Sequence, residues 1–492
     1  MFRNQPLDSR PWPFLLAAMM FCANVALPQS LHAQAASTQG QQVSPSSSVS
    51  VALGTESPYL GSVPTGTPTG TVMQLSLSDA LDRGLKYNLG RIESDVRTRT
   101  SRAERLRSLN ELLPNVTASI SQTVEQVNLR ALGLKIPIAG FPVIVGPFGI
   151  QDARGNVSQK LFDWSSVQNL RASNERLKAA QNSYKSSRDL VVLAVANAYL
   201  QVIADTSTIE SQQAQLSTSQ ALNQRARDQR TAGVAARIDE LRAQVELQTQ
   251  QQRLIAAQDQ RSKDMLSLAR AIGLPAGQQF TLTDNVPYTP LEGVSLDKAL
   301  QDAYANRPDY LSAQLEARAA GLSRKAASAE KLPTVTSSAN YGDIGPNFGN
   351  SHGTFTAAAS VNIPIFQGTR VKADVLEADA TLQQRQAQLE DLKGRIDQDV
   401  RSAFFDLDSA SELVKVAKSN TDLARETLAQ AQDRFSSGVT DNIEVVQAQE
   451  SVSSADQAYI SSLYAFNIAK VQLARAVGIA EQAVKGYLGG VK

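Results

Sequence analysis

The stretch WSSVQNLRASNERLKAAQNSYKSSRDLVVLAVANAYLQVIADTSTIESQQAQLSTSQALNQRARDQRT, residues 164 to 231, contains neither proline nor glycine. Nothing in it stops a helix. A helix over all 68 residues is about 100 Å long at 1.5 Å per residue, more than any compact domain needs. Its apolar residues are spaced for a coiled coil. Leu170, Leu177, Tyr184 and Val191 lie seven apart, and Val195, Val202, Ile209 and Leu216 continue in a phase moved by four. A strict heptad repeat over this length forces a supercoil, and the shift relaxes it. The helix is therefore expected to change partners along its length.

The same design returns 205 residues later as Val375, Leu382, Leu389 and Ile396, then Val400, Leu407 and Val414. Other landmarks repeat in the same order. Leu77-Ser78-Asp79-Ala80-Leu81 is answered by Leu296-Asp297-Lys298-Ala299-Leu300, and Leu113-Pro114 by Leu332-Pro333, both 219 residues on. Leu161-Phe162-Asp163 is answered by Ile365-Phe366-Gln367, Ala232-Gly233-Val234 by Ser437-Gly438-Val439, and Ala271-Ile272-Gly273 by Ala476-Val477-Gly478, now only 204 or 205 residues on. The chain is one unit written twice. The first copy carries about 15 extra residues between its strands, placed at Leu129 to Gly149, where Pro137, Pro142 and Pro147 forbid a helix.

Gly233 and Gly438 stand where C-capping glycines end the long helices, and return helices are expected from about Arg237 to Ile272 and from about Asn442 to Val477. A shorter helix opens each copy, about Ser78 to Leu112 and Asp297 to Lys331, and stops at Leu-Pro. Between these helices the pattern changes to period two. Phe355, Ala357, Ala359, Val361, Ile363 and Ile365 alternate with Thr354, Thr356, Ser360 and Asn362. Val116, Ala118 and Ile120 alternate with Asn115, Thr117, Ser119 and Ser121, and Val335, Ala339 and Tyr341 with Thr336, Ser338 and Asn340. Asp152 to Phe162 is the least regular of four strands. Lengths of about 9 to 11 residues suit a tilted membrane strand.

Lys plus Arg is 48 against Asp plus Glu 47, a formal charge of +1, so no basic field suggests nucleic acid. Cys22 is the only cysteine and His32 and His352 the only histidines, which excludes zinc cages, disulfide frameworks and Cys/His nucleophile pairs. Arg3 and Arg10, the apolar stretch Phe14 to Leu27 and the small residues near Ala33 and Ala35 read as a secretory signal peptide. Residues 37 to about 70 are Ser, Thr, Pro, Gly and Val with Glu56 as the single charge, and are expected to be disordered. Ser328-Ala329-Glu330-Lys331 matches S-x-x-K, but without its companion motifs it reads as a solvated helix face. No enzyme chemistry and no cofactor are expected.

The doubled order of these segments resembles the outer membrane efflux protein family, the TolC-like exit ducts. The resemblance is carried by Leu77 to Asn88, Leu161-Phe162-Asp163-Trp164, Pro364-Ile365-Phe366-Gln367-Gly368-Thr369-Arg370, Arg434-Phe435-Ser436-Ser437-Gly438-Val439 and the closing Ala-x-Gly at Ala271 and Ala476. The family's Asn-x-Pro survives as Asn306-Arg307-Pro308 but is Tyr87-Asn88-Leu89 in the first copy. The division expected is signal peptide 1–33, disordered leader 34–72, first repeat 73–274, linker 275–295, second repeat 296–480 and C-terminal tail 481–492.

The resemblance implies a mainly α protein with a membrane β-barrel. A duplicated strand and long-helix-hairpin repeat would form a trimeric 12-stranded β-barrel on a periplasmic α-helical barrel, in the outer membrane with a large periplasmic portion. Strand arithmetic agrees: four strands leave two open edges, which lipid does not permit, and eight make a barrel filled by its own side chains. Partners implied are two further copies in a homotrimer, outer-membrane lipid, a periplasmic adaptor (membrane fusion) protein and an inner-membrane transporter. Gly233, Val234, Gly438 and Val439 are expected at the periplasmic tip in contact with the adaptor, and Asp239 and Glu444, each six residues after a tip glycine, at an aperture gate. Leu129 to Gly149 is expected as the longer external loop. A secreted, soluble coiled-coil scaffold without channel activity is the competing reading. It explains the helices but not paired strands at equivalent points of both copies.

Overall fold

A computed structural model of the protein describes residues 57–133, 142–285, 287–291, 295–437, 439–440 and 442–488. The expected signal peptide, most of the leader, Gly438 and residues 134–141 of the external loop lie outside the described residues. The first repeat runs β1 (Met73–Leu75), α1 (Leu77–Tyr87), α2 (Leu89–Asn110), β2 (Asn115–Asn128), β3 (Ile144–Phe162), α3 (Trp164–Thr231) and α4 (Arg237–Ile272). The linker holds β4 (Phe280–Leu282), the second repeat runs α5 (Leu296–Asn306), α6 (Pro308–Ala329), β5 (Thr334–Gly345), β6 (His352–Asn362), α7 (Arg370–Ser436) and α8 (Asn442–Val477), and α9 (Ala480–Leu488) follows.

The helix expected over Ser78 to Leu112, and its copy over Asp297 to Lys331, are each broken in two. In the second repeat Pro308 opens the new helix, as a proline at the first helical position does. The first repeat has no proline there, and Asn88 makes the break instead. Its backbone is extended (φ −65°, ψ 137°), its Oδ1 accepts from Gly90 N at 2.9 Å, and its Nδ2 donates to the carbonyls of Tyr59 and Ala271 at 2.7 and 3.2 Å. At the matching point Arg307 donates to Asp309 at 2.7 Å, to Asp399 at 2.9 Å and to the carbonyl of Ala476 at 3.5 Å. Ala271 and Ala476 belong to the closing Ala-x-Gly motifs, and the glycines of those motifs are left-handed, Gly273 at φ 72° and Gly478 at φ 82°. A Cβ on Gly478 would lie 2.7 Å from Arg307 Cα, and one on Gly273 2.7 Å from Tyr87 Cβ. In each repeat, the end of the last helix therefore docks on the break in the first.

Three segments differ from their sequence reading. Residues 57–72, expected as disordered leader, run as a strap across the first break: Val63 N donates to Tyr87 O, Leu89 N to Gly61 O, and Tyr59 packs where a Cβ on Gly90 would lie 2.4 Å from its ring. The linker contributes β4, which pairs in parallel with β1, Met73 opposite Phe280. Most of the tail is α9, whose Val484 and Leu488, four apart, are buried in the main core.

That core gathers Val191, Val195, Tyr199 and Val202 of α3 with Leu268 and Ile272 of α4, Val471 of α8, and Leu75, Leu81 and Phe280. A second core packs Ile396, Val400, Leu407 and Val414 of α7 against Phe466, Leu473 and Ala303. The heptad residues on either side of each phase shift are thus the most deeply buried. The most apolar window of α3 is hydrophobic enough for a membrane span, but 56% of it is buried against the rest of the chain. Its apolarity reflects the core.

The long helices do change partners. Near its start α3 lies between α2 and α6: Arg105 Nε donates to Asn174 at 2.6 Å and Ser312 Oγ to the carbonyl of Ala179 at 2.9 Å. Near its end α3 meets α8 and α4. Ser211 Oγ donates to Asp456 at 3.0 Å, Gln449 Nε2 to the carbonyl of Gln215 at 3.1 Å, and Arg230 pairs with Glu240. α7 exchanges α6 for α8 in the same way, from Arg370–Glu330 at 2.6 Å to Arg425–Asp456 at 2.9 Å.

Candidate functional site

The strands form a four-stranded antiparallel sheet in the order β2-β3-β5-β6, so the two repeats join through β3 and β5. Side chains alternate across it. The register aligns Val116, Val157, Ala339 and Ala357 in one row and Ala118, Gly155, Tyr341 and Phe355 in another, all on one face. The opposite face carries Thr117, Asn156, Asn340 and Thr356 in one row and Ser119, Arg154, Gly342 and Thr354 in the next. The irregular pattern of Asp152 to Phe162 is resolved by this register. Ala153, Gly155 and Val157 belong to the apolar face, and Leu161 sits in a bulge between Lys160 and Phe162.

Among the described residues no layer covers the apolar face. Ile120 is 78% exposed and Phe355 76%. Strands β2 and β6 have no partner on their outer edges among the described residues. A sheet with a bare apolar face and two bare edges is not stable alone in water.

The first hairpin is longer than expected. Residues 144–149, part of the stretch expected as loop, belong to β3 and, where they pair, pair with β2. Pro147 is accommodated because Gly146-Pro147 lies opposite the single residue Gln126, a bulge where no ladder N–H is required.

The far ends of α3 and α7 form the hairpin tips. Gly233 adopts φ 76° with nothing near its Cβ position, so the left-handed turn alone requires glycine there. Val234 N donates to the carbonyl of Gln229, and Val439 N to that of Arg434, each at 3.0 Å, the same capping bond in both repeats. Val234 is 75% exposed and Val439 68%. The two tips touch each other: Asn442 Nδ2 donates to the carbonyl of Asp239 at 3.4 Å. Beside them Ile238, Leu241, Val245, Ile443 and Val446 line an apolar groove of about 370 Å³ between the starts of α4 and α8.

Each turn is clasped by an ion pair that glycine counting misses. Arg434 Nη1 donates to Glu444 at 2.8 Å, and Thr440 Oγ1 to its other oxygen. In the first repeat the matching pair is Arg230 with Glu240, ten residues apart as Arg434 and Glu444 are, while Asp239 meets Arg242 at 3.5 Å. Asp239 holds the helix position equivalent to Glu444, and its neighbour Glu240 makes in the first repeat the clasp that Glu444 makes in the second.

Between tip and core, α3 and α4 hold a carboxyl pair. Gln201 Nε2 donates to Asp205 Oδ1 at 3.0 Å and Gln260 Nε2 to Asp264 at 2.8 Å. Burial, with Asp264 adding to it against the pull of Gln201 and Arg261, pushes the Asp205 carboxyl up to about 7. The folded chain then holds a proton that the unfolded chain releases near pH 4, so stability falls as pH rises from about 4 to about 7 and is level beyond. Even a third of that shift is worth on the order of 1 kcal/mol. Asp205→Asn is expected to melt higher than the unsubstituted protein at pH 8 and level with it at pH 4.5. Parallel melting curves at all pH values would show that Asp205 does not hold the proton.

Residues 151–274 and 299–479 match the family description of the outer membrane efflux protein. The toluene efflux pump outer membrane protein TtgC of Pseudomonas putida is 24% identical over 328 residues, 62% of this chain and 63% of that protein. The aligned stretch thus spans less than two thirds of that relative. The alkaline protease secretion protein AprF of Pseudomonas aeruginosa is 20% identical over 334 residues, 67% of this chain and 69% of that one. The crystal structure of the outer membrane protein VceC of Vibrio cholerae superposes with a TM-score of 0.70 at 18% identity, covering 82% of this chain and 96% of that one. This chain shares its fold.

Proposed function

The chain belongs to the outer membrane efflux protein family, and on that premise we propose that it is the outer-membrane exit duct of a tripartite efflux or type I secretion system. It conducts cargo passively from an inner-membrane transporter and a periplasmic adaptor. The observation that carries this reading is the sheet with one bare apolar face, one polar face and two bare edges, set on helices of 68 and 67 residues. Lipid takes the apolar face, and the edges of neighbouring copies pair, because a lipid-exposed sheet must close. Three copies give twelve strands with an open interior. The helical flanks support contact between neighbouring copies: Phe405, Val416 and Leu423 are exposed on α7, and Val245, Ile255 and Leu266 on α4, so one copy's α7 has an apolar flank of the next to meet. Purified protein added to a planar bilayer is expected to open ion-conducting channels. Recovery of the native protein in the soluble periplasmic fraction would favour a scaffold instead.

The tip meets the adaptor in this reading. Val234 and Val439 present apolar side chains beyond the turns, next to the groove lined by Ile238, Leu241 and Val446. Val234→Asp with Val439→Asp is expected to cut efflux at least about ten-fold, since losing apolar contacts on both turns costs more than 1.4 kcal/mol in docking, while trimer and export persist. Loss of the trimer would assign the valines to folding. Asp239 and Glu444 act at the aperture: Glu444 through its clasp with Arg434, and Asp239 as the less compensated acid beside the first turn.

A further inference from the structure

The polar face of the four-stranded part of the sheet carries almost no charge, and Glu125 lies on the same face farther out, where only β2 and β3 pair. Within its four-stranded part the ionisable side chains of fixed sign on that face are Asp152, Arg154 and Lys160. Lys160 lies at the helix end of β3, bound to Glu111 at 2.7 Å and Asp163 at 3.4 Å. Elsewhere the face is Ser, Thr, Asn, Gly and Ala, with Ile344 and His352 in the row of Asp152.

Arg154 and Asp152 are two apart on one strand, hence on the same face, and they meet as a fork: Nε donates to Oδ1 at 2.6 Å and Nη2 to Oδ2. The neighbouring strand makes room for the arginine. Gly342 stands opposite Arg154, and a Cβ at position 342 would lie 2.4 Å from Arg154 Cβ and 2.3 Å from the carbonyl oxygen of Ala153. A residue larger than glycine does not fit beside it.

We infer that the Asp152–Arg154 pair sets the charge selectivity of the four-stranded part of the barrel interior, by holding closed the one ion pair that its polar face carries beyond the helix end among the described residues. The inference rests on the trimeric-duct reading, in which the polar face lines the lumen and three pairs form a ring. Closed, the ring presents no net charge, so cargo of either sign slides past hydroxyls and amides without being held. With one partner removed, three like charges face one another across a narrow lumen, and the field there changes sign with the residue left behind.

Bilayer conductance of the full-length trimer under a potassium chloride gradient tests this. Asp152→Asn is expected to lower the potassium-to-chloride permeability ratio about two-fold or more, and Arg154→Gln to raise it by a similar factor. The double variant Asp152→Asn with Arg154→Gln removes both charges and is expected to bring the ratio back to that of the unsubstituted channel, which keeps the test decisive if a single variant assembles poorly. Tripolyphosphate added on the outer face reads the lumen independently of the periplasmic aperture. It should block Asp152→Asn at about ten-fold lower concentration than the unsubstituted channel. Conducting single variants with unchanged ratio and unchanged block, or both moving in the same direction, overturn the inference while the duct stands. A protein with no conductance and no crosslinked trimer overturns the duct and the inference with it.

Discussion

Val157→Arg is expected to abolish accumulation of the protein in the outer membrane, whereas Asn156→Arg, one residue earlier on the same strand, is expected to assemble. The two positions differ only in the face they occupy. Val157 lies in the row Val116, Val157, Ala339, Ala357, which crosses β5 and β6 at mid-strand, and Asn156 in the row Thr117, Asn156, Asn340, Thr356. An arginine on the lipid face near the bilayer centre costs about 2–4 kcal/mol per chain, while lumen substitutions alter selectivity with little effect on assembly. In a trimer the cost is incurred three times, so the effect exceeds that of any single loop change. Membrane fractionation and chemical crosslinking of neighbouring copies measure it. Equal assembly of the two variants would show that the bare face of the sheet does not meet lipid. Failure of Asn156→Arg alone would mean that the faces have been assigned the wrong way round.

What could be read from the residues follows the range over which each signal acts. The long helices were legible to their ends, because absence of proline and glycine, heptad spacing and duplication all point the same way, and α3 does run from Trp164 to Thr231. The break at Asn88 was not, since nothing in Tyr87-Asn88-Leu89 forbids a helix. It is made by partners far along the chain, the carbonyls of Tyr59 and Ala271, which local propensity cannot see. Pro147 argued for a loop, and only the bulge opposite Gln126 shows how a strand holds it. The helix α9 left a faint signal in Val484 and Leu488, four apart, too short to stand out from a tail. At the tip, counting from the glycines pairs Asp239 with Glu444, a register the two helix starts keep, but it does not show that the clasping acid of the first turn is the neighbouring Glu240, since side chains meet across a turn by reach. Strand faces were legible for three strands. The fourth, which carries Asp152 and Arg154, became so only through its partners' register.

Arg307→Ala is expected to destabilise the folded chain by about 3 kcal/mol, the lower end of what removing one partner of a buried ion pair costs, because Asp399 is half exposed and Asp309 is not. The arginine side chain is 5% exposed and joins three elements: α6 through Asp309, α7 through Asp399 and the end of α8 through the carbonyl of Ala476. Gly478 packs against its backbone, so the second helix break and the closure of the second repeat depend on the same residue. Burial alone would raise the Asp309 carboxyl, but the hydrogen bonds and charge of Arg307, with Arg475 behind it, hold it below the ordinary carboxylate value. A carboxyl depressed in the folded state lends stability that is present above about pH 4 and lost as pH falls through its lowered value. Removing Arg307 takes away that contribution and leaves a carboxylate buried with only Arg475, 3.7 Å away, to face it. The deficit of Arg307→Ala should therefore be greatest near neutral pH and shrink below about pH 4, where Asp309 takes up a proton. Adding Asp309→Asn should recover part of it at pH 7. Thermal melts in detergent from pH 3.5 to 8 read both effects. A deficit that is constant with pH and untouched by the second substitution would mean that Arg307 acts through packing of its stem and that the ion pair contributes little.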